Sequence, residues 1–401
     1  MIERGDAELL DGADPLASFR ERFAVGDPQT IYLDGNSLGR LPLSTREALH
    51  DRIDQWGSEL VTGWHEWIDL PERAGDLLAE AALGALPGEV IVTDSTTVNL
   101  FKLASAVLAR RGGAIVTDRG NFPTDRYVLD GLARRHGREL ISFDADPIAG
   151  PQPADVARAC EGNEIALVSL SHVAYRSGAL ADVKRITQES SAPLIWDLSH
   201  SAGAVPIELA DWGVELAVGC TYKYLNAGPG APAYLYIAEG RQQELRTPIQ
   251  GWFGQRDQFE MERPYDPEPG IRGWLAGTPS ILATTAVEHG ARLIAEAGMR
   301  AIGAKANALT SFLVELHDEW LASLGFQLGT PRDPSARGGH VSLRHEQAST
   351  LTSELIEQAK VIPDFRGPDS IRLGLSPLYT SFADVYEAML RLRDLAVEQP
   401  R

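Results

Sequence analysis

Short, uninterrupted apolar runs alternate with helix-like stretches through the middle of the chain. Such runs are typical of strands buried on both faces of a parallel sheet, because these strands have no solvent-facing side. We therefore predict a parallel, doubly wound α/β sheet whose ligand lies outside the carboxyl ends of the strands. The predicted strands are residues 90–93, 114–117, 140–143, 166–170, 194–196, 216–220 and 233–237.

The pattern changes towards the end of the chain. A helical run over 281–316 precedes a strand, helix, strand and helix at 339–344, 347–360, 370–375 and about 381–397, which predicts a smaller α+β domain. We place the large domain at 46–295, and assign 1–45 and 296–401 to an N-terminal arm and the small domain. Near the start, 31–42 is predicted to be a loop because Gly, Asn and Pro interrupt it. Helices are predicted up to about residue 59 and over 72–86, 98–110 and about 125–136.

Polar residues follow the predicted strands at one edge of the sheet. Any one of them could be a helix cap or a turn, but five groups at equivalent positions predict a site. The groups are Thr96-Thr97, 122–125, Ser171-His172, 197–200 and Tyr222-Lys223.

Lys223 is singled out among the five lysines of the chain. The other four lie in predicted helices, whereas Lys223 follows a strand between two tyrosines. A strand-end carboxylate, Asp197, can meet it above the sheet, together with His200. A lysine that forms a Schiff base and a carboxylate that pairs with a pyridine nitrogen are what pyridoxal phosphate (PLP) requires. The simpler alternative is a structural ion pair between Lys223 and Asp197.

A hydroxyl-rich turn, an aromatic cluster and an arginine can each be interpreted in two ways. The hydroxyls of 94–97 form an anion site at a helix start or merely cap it. The aromatic cluster around Trp64 and His65 is packing or part of a pocket. Arg372, within a strand, is an inward-pointing candidate for a substrate carboxylate or a surface arginine.

Composition narrows the class of protein. A net charge of −19 and a pI near 4.9 argue against nucleic-acid and anionic-membrane partners. Two cysteines without a pairing pattern indicate a reducing compartment, and no apolar run has the ~18 residues of a membrane span. The expected location is the cytoplasm. No HExxH is present and no metal site is expected; His340 and His345 are predicted to face solvent.

Several motifs together resemble those of kynureninase, a PLP enzyme of fold type I. The resemblance covers nearly the whole chain, and it rests on YLDGNSLGRLP (32–42), TTVNL (96–100), NFPTD (121–125), WDLSHSAGAVPIEL (196–209), YKYLNAGPG (222–230) and GWFG (251–254). It implies hydrolysis of L-kynurenine to anthranilate and L-alanine, with 3-hydroxykynurenine as a second substrate. It also implies a homodimer in tryptophan catabolism by the kynurenine pathway, which also feeds NAD biosynthesis.

The resemblance assigns roles residue by residue. Lys223 is similar to the Schiff-base lysine, Asp197 to the partner of the pyridine nitrogen and Tyr222 to a proton relay or phosphate ligand. His200 would lie beside the phenolic oxygen and Phe122 would stack on the ring. The further cofactor contacts implied are Thr96, Thr97, Pro123, Thr124, Asp125 and Ser171, with Trp252 and Thr278 from the other subunit. The substrate contacts implied are Arg372, Trp64, His65, Asn36 and Gly277.

One residue departs from the kynureninase motifs, and two other functions are compatible with parts of the sequence. Thr96 stands where many relatives have leucine, so only its side-chain role is in question. A cysteine desulfurase would share the Asp, His and Lys features, but no cysteine follows Cys220 to act as its nucleophile. The remaining alternative is a catalytically silent binding protein on the same fold.

Overall fold

The computed structural model describes residues 2–398, and its centre is a seven-stranded sheet. The strands of the chain are, in order, β1 (Ile31–Tyr32), β2 (Val90–Val92), β3 (Ala114–Asp118), β4 (Leu140–Phe143), β5 (Ile165–Ser171), β6 (Leu194–Asp197), β7 (Leu216–Gly219), β8 (Tyr234–Ile237), β9 (Gln327–Leu328), β10 (His340–Arg344), β11 (Val361–Ile362), β12 (Asp364–Arg366) and β13 (Ser370–Gly374). The order across the large sheet is β2-β8-β7-β6-β5-β3-β4. Strand β8 is antiparallel to both of its neighbours, and the other pairings are parallel. The predicted α/β class with a mainly parallel sheet is confirmed.

Helices cover both faces of this sheet. They are α1 (Arg4–Gly12), α2 (Leu43–Glu59), α3 (Trp64–Trp67), α4 (Leu70–Leu78), α5 (Thr96–Leu108), α6 (Pro123–His136), α7 (Pro153–Cys160), α8 (Val183–Glu189), α9 (Leu209–Trp212), α10 (Glu239–Gln242), α11 (Ile281–Ala297), α12 (Met299–Leu316), α13 (Ala348–Glu357) and α14 (Phe382–Glu398).

Alternation along the central strands divides the core into two layers. In β6, Trp196 packs with α8 and α11 on one face, while Ile195 packs with α5 and α6 on the other. Both faces of the strand are therefore apolar, which explains the uninterrupted apolar runs.

A second, four-stranded antiparallel sheet forms near the end of the chain, in the order β12-β13-β10-β9. It shares a separate apolar core with α12, α13 and α14. The N-terminal segment joins it, because β1 pairs in parallel with β11. The observed cores agree with a large and a small unit, although the boundary at 46–295 stays a prediction.

Several local predictions were wrong. The helical run 281–316 is two helices, because Gly298 adopts φ +76 between α11 and α12. Residues 31–42, expected to be a loop, begin with β1. Lys360 lies beyond the end of α13 and pairs with Asp27, so it is not helical.

Two histidines differ from their predicted exposure. His340, expected to face solvent, is fully buried against His200, and His345 is half-buried with its ring stacked on Phe326. His340 begins β10, which has a neighbouring strand on each side, whereas His345 follows the last residue of that strand.

Within residues 2–398, no helix combines the length and apolar character needed to cross a membrane.

Candidate active site

A cavity of about 260 Å³ lies at the carboxyl ends of the parallel strands. Strands β5, β6 and β7 end side by side there, because Ser171 pairs with Asp197 and Asp197 with Val218. The polar groups after these strands therefore meet at one edge, as predicted. The predicted residues that line the cavity are Thr96, Thr97, Phe122, Thr124, Asp125, Ser171, Asp197, His200, Tyr222 and Lys223.

Lys223 lies in the turn after β7. Its Nζ is 3.0 Å from Nε2 of His200 and 5.9 Å from the centre of the Tyr222 ring. The N-terminal segment closes the turn from outside, since the N–H of Gly39 donates to the carbonyl of Tyr222 at 2.7 Å. A Cβ at Gly39 would lie 2.3 Å from the Lys223 carbonyl oxygen, so only glycine fits. The lysine backbone is held while its amine faces the cavity.

His200 is a buried, neutral imidazole. Burial, and then the positive charge of Lys223, hold its pKa well below the usual value. When Nε2 accepts from the Lys223 amine, the hydrogen resides on Nδ1, which has no hydrogen-bond partner within residues 2–398. His200 therefore turns Nε2 towards the Lys223 amine and keeps a buried Nδ1–H that has no partner among the described residues.

Asp197 and Asp125 form a carboxyl pair on the floor of the cavity. Asp197 accepts from the N–H of Ser199 at 2.7 Å. Burial raises the pKa of Asp125 well above its usual range. The negative charge of Asp197 and a hydrogen bond to it raise that pKa further. Oδ2 of Asp125 meets no donor among the described residues. A proton kept on Asp125 and donated to Asp197 satisfies both oxygens, so the pair carries one negative charge.

Asn121 organises the start of α6 beside this pair. Its Oδ1 accepts from Oγ of Ser171 at 2.6 Å and from the N–H of Phe122 at 2.8 Å. The residue Phe122 is 36% exposed, and its ring meets the Tyr175 ring edge-on, with the ring centres 5.3 Å apart. A flat apolar face is thus available at the cavity.

The start of α5 places backbone N–H groups and two threonine hydroxyls at the cavity, where they can bind an anion. Ser95 caps the helix, accepting from the N–H of Val98 at 3.4 Å, while Thr96 and Thr97 line the cavity. Capping and anion binding are thus assigned to different residues, and the N–H groups of the first helical turn need a partner. Behind the turn, buried Lys102 pairs with Asp94 at 2.8 Å.

Arg372 is buried, as expected, but lies behind the cavity wall rather than in it. Its Nη1 donates to the carbonyl of Tyr175 at 2.6 Å, and its Nη2 donates to Ser37 and Asp364. The hydrogen-bond pattern orients the amide of Asn36 so that its oxygen accepts from Nε of Arg372 at 2.7 Å. The predicted substrate residues Arg372 and Asn36 therefore contact each other.

The remaining predicted residues lie outside this cavity. Trp64 lines a separate apolar pocket of about 250 Å³, which residues 280–282 also line. His65, Trp252, Gly277 and Thr278 are on the surface or in exposed segments. Pro123 begins α6. In this single chain the structure does not bring the Trp64 group together with Lys223.

Sequence reasoning missed the cavity residues Val173, Tyr175, Ala231 and Ala233, whereas Asp94, Ser95, Ser199 and Gly230 lie within the predicted turn, strand-end group and motif. Tyr175 follows β5 by a few residues. Extending each strand-end group by several positions could have found it.

The site fits PLP on its own chemistry. A pyridine ring with a phosphate needs an amine, a carboxylate, a flat apolar face and an anion site. The cavity supplies these groups through the amine of Lys223, the singly charged carboxyl pair, the open face of Phe122 and the helix start beneath Thr97, and the unpartnered nitrogen of His200 lies beside them.

Comparison with known proteins identifies close relatives. Residues 302–392 match the family model for the kynureninase C-terminal domain. The chain is 40% identical to the kynureninase of Burkholderia pseudomallei (strain K96243), over 98% of this chain and 96% of that protein. The same identity and coverage hold for the kynureninase of Pseudomonas fluorescens.

Solved structures with the same fold are more distant in sequence. A cysteine desulfurase from Thermococcus onnurineus NA1 is similar, with a TM-score of 0.82 and 18% identity, over 95% of this chain and 98% of that chain. The C-DES protein, solved as a mutant with glycine covalently linked to its PLP cofactor, gives a TM-score of 0.83 and 18% identity, over 94% and 99%. At this identity the likeness shows the fold, which agrees with fold type I.

Proposed function

The chain belongs to the kynureninase family, and on that premise we propose that Lys223 and its neighbours hydrolyse L-kynurenine to anthranilate and L-alanine with PLP. The observation that carries this proposal is the meeting of the Lys223 amine, neutral His200 and the Asp125–Asp197 pair in one cavity at the strand ends.

When bound, PLP supplies an aldehyde carbon that holds the substrate amine and a ring that accepts the electrons of the broken bond. We assign Lys223 to the aldehyde, Asp197 to the ring nitrogen and the face of Phe122 to the ring. Thr96, Thr97 and the N–H groups at the start of α5 would hold the phosphate. Pro123 and Thr124 complete the first turn of α6 beside Asp125.

The carboxyl pair controls charge on the cavity floor. Asp125 keeps its proton because it is buried beside Asp197, so Asp197 would present a single negative charge to the ring nitrogen of a bound cofactor. One such charge is enough to keep that nitrogen protonated. A second, unpaired buried charge would be costly.

Lys223 is assigned as the base that takes the proton from the substrate Cα. Neutral His200, 3.0 Å from its Nζ, can accept a hydrogen bond from the amine and hold its direction. Water then adds to the substrate ketone, and the Cβ–Cγ bond breaks to release anthranilate.

Tyr222 keeps its phenolic proton, because the neighbouring Cys220 sulfur and then burial raise its pKa above the usual value. It is therefore a donor, either to the phosphate or in relaying a proton to the product.

We propose that two chains form a homodimer with shared sites. Trp252 and Thr278 lie at the surface, away from their own cavity, and Trp56, Leu60 and Val61 expose apolar side chains. Contiguous exposed apolar groups favour a protein interface. In that arrangement Trp252 and Thr278 of one subunit reach the cavity of the other, and Trp64, His65 and Gly277 border the substrate's aromatic ring.

The proposed substrate indicates the pathway in which the enzyme acts. Hydrolysis of L-kynurenine is a step of tryptophan catabolism by the kynurenine pathway and can feed NAD biosynthesis. We place it in the cytoplasm, where the unpaired Cys160 and Cys220 would stay reduced.

Replacing the amine tests the proposal. Lys223→Ala should abolish anthranilate release, followed by its fluorescence, and the absorbance of the lysine-bound cofactor. Lys184→Ala, on the exposed side of α8, is the matched control and should behave as the unaltered protein. A cofactor adduct located on another lysine by mass spectrometry would refute the assignment.

The cysteine desulfurase alternative is not favoured. That reaction needs a reactive cysteine. Cys220 is buried, and burial raises the pKa of its thiol. Sulfide release from L-cysteine at a rate above that of anthranilate release from L-kynurenine would reverse this ranking. Absence of both activities would favour a silent binding protein.

A further inference from the structure

Two ionic groups beside Arg372 have no part in the reaction described above. Asp364 on β12 lies directly across from Arg372 on β13, and Arg366 follows two residues later on the same strand. Asp364 contacts both arginines: its Oδ2 accepts from Nη2 of Arg372 and lies 2.9 Å from Nε of Arg366. One carboxylate is therefore shared between a buried and a partly exposed guanidinium.

The hydrogen bonds of Arg372 leave little room for a second carboxylate. A guanidinium has five N–H donors and binds a carboxylate best through two parallel bonds. The Asn36 oxygen accepts from Nε at 2.7 Å and also lies 3.2 Å from Nη2. The carbonyl of Tyr175 accepts from Nη1, and Ser37 and Asp364 accept from Nη2. Among the described residues this leaves one donor on Nη1 unused. If the guanidinium of Arg372 is to bind a substrate carboxylate through two hydrogen bonds, one of its present partners must leave.

Asp364 is the partner whose departure the chemistry favours. Asn36, Ser37 and the Tyr175 carbonyl are neutral and can stay beside a bound anion, whereas two carboxylates at one guanidinium repel each other. The side chain of Asp364 is 15% exposed and that of Arg372 only 1%, so the carboxylate is on the solvent side of the pair. Arg366 already contacts it and can neutralise it after release.

We propose that Asp364 is an exchangeable counter-ion of Arg372: the substrate's α-carboxylate takes its place on the guanidinium, and Arg366 keeps the displaced carboxylate. This inference rests on the proposed function and on the substrate contact that the resemblance to kynureninase implies for Arg372. It makes Asp364 a specificity-determining residue, because a ligand that lacks a negative charge cannot displace it.

Asp364→Asn tests the exchange, since the amide keeps the shape and can still accept from Arg372 but no longer competes as an anion. Titration calorimetry on the holoenzyme with L-alanine and L-alaninamide separates the carboxylate from the rest of the ligand. We expect L-alanine to bind at least tenfold more tightly to the variant, which is ~1.4 kcal/mol, with the L-alaninamide affinity unchanged. Asp369→Asn, which removes the Arg344 partner on the same hairpin, is the matched control and should change neither affinity.

Arg366→Gln provides the opposite test if the first variant fails to fold. Without the positive charge of Arg366 beside it, Asp364 should leave Arg372 less readily, so KM for L-kynurenine should rise about tenfold with kcat nearly constant. Arg344→Gln is its control.

Equal effects of Asp364→Asn on both ligands, or weaker L-alanine binding, would overturn the exchange and leave Asp364 a structural partner. So would an unchanged KM in Arg366→Gln. Failure of the proposed function is distinguishable, because the unaltered holoenzyme would then neither bind L-alanine nor turn over L-kynurenine.

Discussion

The role of the Asp125 proton as a hydrogen-bond donor to Asp197 can be tested with two substitutions, one that keeps a donor and one that removes it. Asp125→Asn retains the size and an N–H that can donate to Asp197, whereas Asp125→Ala removes the donor and leaves a void. Because Asp125 is almost fully buried, no water replaces the lost bond cheaply.

The expected magnitudes follow from that geometry. A hydrogen bond to a charged group is worth about 1.5–3 kcal/mol, so Asp125→Ala should lose roughly 10- to 150-fold in kcat/KM, at ~1.4 kcal/mol per tenfold. Asp125→Asn should stay within about fivefold, since a donor is kept. Asp130→Asn, on the exposed face of the same helix, is the control.

The pH dependence supplies a second readout. The pKa of Asp125 is raised, so its protonated form and the stabilisation it provides persist at low pH and are lost as pH rises through the raised pKa. Activity of the unaltered enzyme should therefore fall on the alkaline side, and this limb should flatten in Asp125→Asn. The reasoning fails if Asn is as damaging as Ala, which would mean that Asp125 acts as a second negative charge.

Four further predictions follow from the site. Asp197→Asn should bind cofactor but lose most of kcat, because an amide cannot hold the ring nitrogen protonated; near-normal kcat at full cofactor content would contradict this role. Mixing inactive Lys223→Ala and Trp252→Ala subunits should restore activity in hybrid dimers, and no recovery with hybrids verified by mass spectrometry would count against shared sites. L-Kynurenine should exceed 3-hydroxykynurenine by about 5- to 150-fold in kcat/KM, because the apolar face of Trp64 leaves the added hydroxyl unpaired at about 1–3 kcal/mol; a ratio at or below one refutes it. Burial raises the pKa of Asp34 from 3.8 to about 6, so the stabilisation from its protonated form is lost as the pH rises between these two values; Asp34→Asn should raise Tm more at pH 8 than at pH 4, and equal shifts at both would refute it.

The central sheet was predictable because each buried strand is a continuous apolar run that ends on a polar group. Asp197 and Lys223 could be assigned to one edge from the rule for parallel strands alone. Strand order and register were not encoded locally, so the pairing of Ser171 with Asp197 could not be predicted. The carboxyl pair depends on that register.

Other features depend on contacts between distant segments. The shielding of Arg372 by Asp364 arises from the hairpin of β12 and β13, and β12 is too short to be recognised from its pattern. The break at Gly298 was hidden because both flanking helices continue the same apolar periodicity. The residues that a second subunit would contribute lie beyond what one chain can show.

The N-terminal segment that closes the Lys223 turn has a consequence for the order in which a ribosome-bound chain matures. Ser37, two residues before Gly39, contacts Arg372, which lies 335 positions later. At about 5–20 residues per second, roughly 20–70 s of synthesis separate these two residues. Until then the early segment has neither its β11 partner nor the arginine, although Tyr222, which accepts from the N–H of Gly39, has already been made. The segment can therefore reach the lysine turn before it is fixed to the small sheet, and a ligand that contacts Arg372 binds completely only after residue 372 has been made.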